Sequence, residues 1–178
     1  MSIEEQISSI KKELQRYYAT DIHFDDRGIL KYPVALKLKT NAKAHKDSPI
    51  GMNKIEREEC EQEIEHLLQL GLIRPSHSEW ACAAFYVNKH SEQKRGKKRL
   101  VFNYKPLNKH LEDFAYPIPN KEYLLSKINN ARWLSNLDLK SGFWQMAIRE
   151  EDCHKTSFVV PSGFFEWKVM PVGLKAAP

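Results

Sequence analysis

Cysteine is scarce in this chain. Cys60, Cys82 and Cys153 are an odd number with no Cys-x-x-Cys spacing, and the seven histidines are scattered. That pattern supports neither a disulfide framework nor a zinc knuckle, so three reduced, mostly buried thiols are expected. Glycine is thin as well: Gly51, Gly71 and Gly96 stand alone, which sets aside a P-loop or a Rossmann turn as the means of holding a nucleotide. No apolar run is long enough to cross a bilayer and no signal-peptide pattern opens the chain, so a soluble, intracellular (cytoplasmic) protein without a membrane partner is expected. The excess of positive charge is small, 28 Lys and Arg against 23 Asp and Glu, for a net +5 and a pI of about 9.0. Such a balance admits a polyanionic partner without requiring one. There is no internal repeat and no low-complexity tract.

What is present suffices for a core. With 178 residues, 42% hydrophobic and 11% aromatic, the chain reads as one compact domain or a large piece of one. Residues 2–18 open with a Ser-x-x-Glu capping box (Ser2, Glu5) and repeat apolar residues at Ile3, Ile7, Ile10, Leu14 and Tyr17. The pattern predicts an amphipathic helix that docks on a partner surface, with a short coiled coil as the alternative. Residues 20–49 read as a linker with one edge strand, "VALKLKT". A second helix is predicted after Asn53, capped by Glu56, carrying Ile55, Ile64, Leu67, Leu68 and Leu70, and stopped by Gly71. "AAFYVNK" and "RLVFNY" form a hairpin around the polar loop "HSEQKRGKK", a helix follows over residues 120–129, and "TSFVV-PSG-FFEWKV" is a second hairpin. Strands and helices are interspersed, the pattern of an α+β protein.

Three constellations carry chemistry. Five positive side chains surround Gly96 in "KRGKKR". The plain reading of a charged hairpin tip is a solvated loop; the functional one is a cationic clamp on phosphates. In "NLDLKSGFWQMAI", Asp138 falls near the end of an expected strand. Leu134 and Asn136 share its more polar face, and Trp133, Ser135, Leu137 and Leu139 point the other way. A lone Asp there is commonly a cap, but small Ser141 and Gly142 and then Phe143 leave room for a substrate beside the carboxylate. The third is "MPVGLKAAP", where Pro-x-Gly predicts a tight bend before a closely packed helix start.

In this order, "LGLIRPSHSEWACAAFYVNK", "RGKKRLVFNYKPLNKH", "YPIPNKEYLLSKI", "LSNLDLKSGFWQMAI" and "KVMPVGLKAAP" resemble the fingers and early palm of a reverse transcriptase. The likeness is to the plant pararetrovirus branch, the caulimovirus type, and runs from about residue 53 to 178; retroviruses and Ty3/gypsy elements usually have Asp where this chain has Asn103. The implied organisation is an N-terminal helix and linker over residues 1–52, then fingers and a partial palm over 53–178 that stop before the family's Tyr-x-Asp-Asp hairpin.

The resemblance implies roles. Asp138 matches the first catalytic carboxylate, a ligand of both Mg²⁺ ions, and the Leu139 carbonyl a further ligand of one. Phe143 matches the position under the incoming sugar that excludes a 2′-hydroxyl. Arg99 matches a grip on the dNTP triphosphate, with Lys94, Arg95 or Lys97 as its partner. Val172, Gly173 and Lys175 match the segment lining the nucleotide pocket, with Val172 where retroviruses carry Gln. The implied partners are an RNA/DNA primer-template and dNTPs, and self-association through the N-terminal helix or an exposed palm edge. The implied activity is RNA-directed DNA synthesis, with these 178 residues inactive alone because the family's other two metal-binding aspartates lie in the missing hairpin; Asp113 and Asp152 sit in charged segments that the family places elsewhere. The competing expectation is a truncated or domesticated remnant that binds nucleic acid or protein without catalysis.

Overall fold

The computed structural model describes residues 3–20, 29–88, 98–113, 119–129, 131–135 and 142–176. The elements in chain order are α1 (Ile3–Thr20), β1 (Leu30–Val34), α2 (Lys54–Gln69), β2 (Ile73–Pro75), β3 (Cys82–Asn88), β4 (Lys98–Phe102), α3 (Lys105–His110), α4 (Lys121–Ile128), β5 (Met146–Ile148), β6 (Phe158–Val160) and β7 (Gly163–Trp167). Two 3-10 helices, Gly142–Gln145 and Glu150–Thr156, flank β5. No described helix is long and apolar enough to cross a membrane.

α2 forms where local signals agree. The Asn53 side chain accepts from the Glu56 N–H at 2.9 Å while Glu56 Oε2 accepts from the Asn53 N–H at 3.1 Å, closing the capping box. Gly71, at φ 66°, takes the left-handed residue that ends the helix. The buried stripe is Cys60, Ile64 and Leu67. Ile55, expected on it, is exposed, because five positions before Cys60 turns it off that face.

Five strands form the main sheet in the order β2-β7-β6-β3-β4. β3 and β4 pair antiparallel from Ala84↔Phe102 to Asn88↔Lys98, and β6 and β7 turn at residues 161–162, as the two hairpin patterns predict. The parallel β3–β6 contact joins the hairpins. β2 was not anticipated: three residues containing a proline carry no periodicity, and the strand exists by pairing with β7, where Arg74 stands opposite Glu166. Arg74 Nε donates to Glu166 at 2.8 Å, and Ser76 Oγ to the other oxygen of the same buried carboxylate at 2.6 Å. Phe102, Phe158 and Trp167 meet at ring separations of 4.6 to 5.9 Å. Each large buried side chain contributes about 1.5–3 kcal/mol, against about 0–1 kcal/mol for a surface ion pair, so this cluster dominates the local stability.

The stretch expected as a linker does more. Ile29, Leu36 and Met52 belong to the core, and β1 pairs parallel with β5. β1 is "LKYPV" rather than "VALKLKT". Leu36 has left the strand, and its two backbone groups are taken by side chains: its N–H donates to Asp152 Oδ2 at 2.8 Å and its carbonyl accepts from Lys155 Nζ at 2.8 Å. Asp152 and Lys155 also pair with each other.

α1 and α4 lie where the sequence predicts them, yet Ile3, Ile7 and Ile10 of α1 and Leu124, Leu125 and Ile128 of α4 are exposed. The strand expected from Trp133 onward is absent at residues 133–135, where Trp133 and Leu134 are exposed without a sheet neighbour; among the described residues of the quoted stretch, the strand is β5. The end of that expected strand, with Asp138, lies outside the described residues.

All three cysteines are free and buried. Desolvation pushes the thiols of Cys60 and Cys153 up to about 11 and that of Cys82 to about 12, above the ordinary 9.0. Raised folded-state values mean that the unfolded chain loses its thiol protons first, so this stabilisation is intact below about pH 9 and is lost as the pH climbs through the folded values. Native protein at pH 8 should therefore react with a thiol reagent only at the rate of unfolding, and all three thiols should react at once in denaturant. A fast native phase would contradict that burial.

Candidate nucleotide cleft

Segments remote in sequence converge on a cleft of about 350 Å³. One wall is β4, contributing Arg99 through Phe102; α2 supplies Glu63 and Leu67; Trp144 and Trp167 form the aromatic floor; and the bend at Val172 and Gly173 closes the other side. The walls are largely hydrocarbon and ring, with a few polar groups to orient a ligand, the composition typical of a small-molecule site.

The charged groups sit at the edge. Arg99 is exposed on the β4 wall, and among the described residues no ion pair engages its guanidinium. The Glu63 carboxyl is pushed up chiefly by desolvation, although Tyr86, which donates to it at 3.3 Å, acts the other way. β4 is positioned from α2, since Lys98 Nζ meets Glu56 Oε1 at 2.5 Å.

The bend is shaped by one glycine. Gly173 has φ +98°, a conformation that L residues rarely adopt. A Cβ there would stand 3.8 Å from the Phe102 carbonyl and 3.9 Å from the Tyr104 ring, so backbone conformation and not space requires glycine. Asn108 of α3 donates from Nδ2 to the Gly173 carbonyl at 2.9 Å and accepts from the Lys175 N–H at 2.7 Å. Tyr104, which precedes α3, is buried and donates to the Thr156 carbonyl at 2.8 Å.

Of the residues singled out in the sequence, Arg99, Val172 and Gly173 meet in this cleft. Phe143 is half-buried in the 3-10 helix Gly142–Gln145 and packs against the core, one residue before the cleft residue Trp144. Lys175 is not among the lining residues. Its ammonium pairs with Asp113, whose carboxyl it holds below the usual carboxylate range. Asp138, Leu139, Lys94, Arg95 and Lys97 lie outside the described residues. Glu63, Trp144 and Asn108 were not foreseen: the first and last sit on helices with no motif to mark them, and only adjacency to Phe143 pointed to Trp144. A larger hollow of about 440 Å³, lined by His77, His154 and Glu166 among others, holds none of the predicted residues. Its one buried acid is already engaged by Arg74 and Ser76.

Comparison with known proteins decides the family. Residues 87–178 match the family described as reverse transcriptase (RNA-dependent DNA polymerase). The chain belongs to the reverse transcriptase family. Among relatives, this reverse transcriptase chain is 42% identical over its whole length to the genome polyprotein of Petunia vein clearing virus (isolate Shepherd), of which it covers 9%. It is 44% identical, over 81% of its length, to the enzymatic polyprotein of Cauliflower mosaic virus (strain Strasbourg), covering 21% of that protein. The chain thus spans only a small part of these viral polyproteins. In fold it is similar to the prototype foamy virus protease-reverse transcriptase, with TM-score 0.70 at 21% identity over 97% of this chain and 23% of that one. It is also similar to the foamy viral protease-reverse transcriptase solved in complex with an RNA/DNA hybrid, with TM-score 0.66 at 19% identity over 98% of this chain and 23% of that one. The pararetroviral resemblance read from the five motifs and the mixed helix-and-sheet architecture both hold.

Proposed function

We propose that residues 53–178 are the fingers and first part of the palm of an RNA-directed DNA polymerase, preceded by an N-terminal helix and connecting segment over 1–52, and that the cleft receives the incoming dNTP opposite an RNA/DNA primer-template. The observation that carries this is the meeting of Arg99 with Val172 and Gly173, more than seventy residues apart in the chain, around a cavity with an aromatic floor.

Each residue then has a task. The Arg99 guanidinium, a planar fork with fixed donors, grips the triphosphate, and one of Lys94, Arg95 or Lys97 adds a second positive charge from the loop between β3 and β4. Phe143 presents its ring beneath the sugar and leaves no room for a 2′-hydroxyl, so deoxynucleotides are preferred. Val172 and Gly173 flank the base and sugar with hydrocarbon and bare backbone, and Lys175, just beyond them, carries its charge at the mouth of the bend beside Asp113. Among the described residues no cluster of three or more His, Cys, Asp or Glu is placed to hold a metal. The donors assigned here are the Asp138 carboxylate and the Leu139 carbonyl, hard oxygens of the kind Mg²⁺ takes. When bound, Mg²⁺ supplies charge stabilisation to the attacking and leaving oxygens of an in-line phosphoryl transfer.

The test uses an extended polymerase in which residues 1–178 continue through a Tyr-x-Asp-Asp hairpin and the remaining subdomains. Arg99→Ala should raise the dNTP dissociation constant in single-nucleotide addition by about tenfold or more, the size of one lost charge-assisted contact. Primer-template affinity should shift by less than about twofold, since the remaining phosphate contacts persist. An unchanged dNTP constant sinks the assignment of the cleft. A second reading, a non-enzymatic binding remnant, has the exposed Ile3, Ile7 and Ile10 face of α1 in its favour. It predicts partner binding with no nucleotide addition by any extended form.

A further inference from the structure

We propose that Asn108 is the positioning residue that sets the width of the nucleotide cleft, an inference that rests on the reading of that cleft given above. Its carboxamide reaches the two backbone groups that flank Leu174, donating to the Gly173 carbonyl at 2.9 Å and accepting from the Lys175 N–H at 2.7 Å. One partner is an acceptor and the other a donor, so the chemistry of the pair fixes which end of the amide points where. A carboxylate in this place keeps the acceptor and loses the donor. An isosteric leucine loses both.

The clamp matters because of what lies on either side of it. Asn108 belongs to α3, tied to the β4 wall within a few residues: its own N–H donates to the Tyr104 carbonyl at 2.8 Å, and the Tyr104 N–H to the Phe102 carbonyl at 3.0 Å. Gly173 and Val172 are the opposite wall. The side chain therefore links the strand that carries Arg99 to the bend that carries Val172, across 65 residues of sequence. The bend needs such a link. Val172 is 62% exposed and Gly173 is in the left-handed region, between the fully buried Met170 and Pro171 on one side and Leu174, 3% exposed, on the other. Lys175 adds an ion pair to Asp113, itself a mostly exposed residue, and pairs of that kind hold little. Without Asn108 the bend keeps its two ends in the core through Pro171 and Leu174, but the backbone at Val172 and Gly173 loses its hydrogen-bonded tie to α3 and so to β4. A misplacement of that kind weakens nucleotide capture more than the chemistry that follows it.

The experiment is steady-state and single-turnover addition by the extended polymerase with Asn108→Leu and Asn108→Ser. Expected are a rise of about tenfold in KM for each dNTP, kcat and primer-template dissociation constant within about twofold of the parent, and faster hydrogen exchange of the Lys175 amide with α2 amides unchanged. Asn108→Ser, which keeps one short hydroxyl, should fall between the parent and Asn108→Leu; should the leucine variant not fold, the serine variant decides. An unchanged KM in a folded variant overturns the inference, as does an equal loss of kcat and template affinity, which marks a general structural role. If the parent extended polymerase itself adds no nucleotide, the reading of the cleft falls first and this inference with it; a parent that works beside an indifferent Asn108→Leu removes this inference alone.

Discussion

Asp138→Asn in the extended polymerase should lower the rate of nucleotide addition by on the order of a thousandfold while leaving primer-template binding in place. The carboxylate is assigned as a ligand to ions that bear several kcal/mol of transition-state stabilisation, and each 1.4 kcal/mol is tenfold in rate. Asn keeps the shape and one acceptor oxygen and removes the charge, so the loss reports on electrostatics and not on packing. The polypeptide of residues 1–178 assayed by itself has Asp138 and no Tyr-x-Asp-Asp motif, and is expected to extend no primer. Extension by those 178 residues alone that vanishes in Asp138→Asn would overturn the assignment of the remaining carboxylates to the hairpin.

The second large effect is on stability. Asp152→Ala should cost about 3 kcal/mol, because it removes the carboxylate from a largely buried ion pair and leaves the Lys155 ammonium, 15% exposed, without its counter-charge. The same change orphans the Leu36 N–H, which donates to Asp152 Oδ2 at 2.8 Å. Leu36 is fully buried and Asp152 is 6% exposed, so water cannot replace the lost contacts without opening the core. Urea unfolding of the parent and of Asp152→Ala measures it. The double variant Asp152→Leu with Lys155→Met, which removes both charges, should recover part of the loss. A single-variant loss below about 1 kcal/mol would mean that the pair is solvated.

Asp152 also illustrates where the sequence was silent. Its neighbourhood "REEDCHKT" looks like a solvated charged run, and nothing local distinguishes the one acid that turns inward to hold a segment 116 residues away. The same holds for β2, whose three residues become a strand through Arg74 and Glu166, and for α3, six residues with Pro106 near its start and too short for a hydrophobic period. By contrast α2 was legible because its caps and apolar spacing agree, and both hairpins because β-rich runs are bounded by turn residues. The candidate site divides in the same way. Arg99, Val172 and Gly173 were named through the family resemblance of their motifs, and no spacing in the chain puts them together. Asn108 and Glu63 carry ordinary side chains on ordinary helices and acquire a role only when α2, α3 and the bend meet around the cleft.

The central proposal is that this fold serves RNA-templated DNA synthesis. Its most direct test is extension of a DNA primer on an RNA template by the extended polymerase, run with dNTPs and, separately, with NTPs in the presence of Mg²⁺. The account predicts template-dependent DNA product with dNTPs and little or none with NTPs, because the role proposed for the Phe143 ring is to exclude a 2′-hydroxyl. A folded extended chain that binds the RNA/DNA primer-template yet makes no product with dNTPs would contradict it.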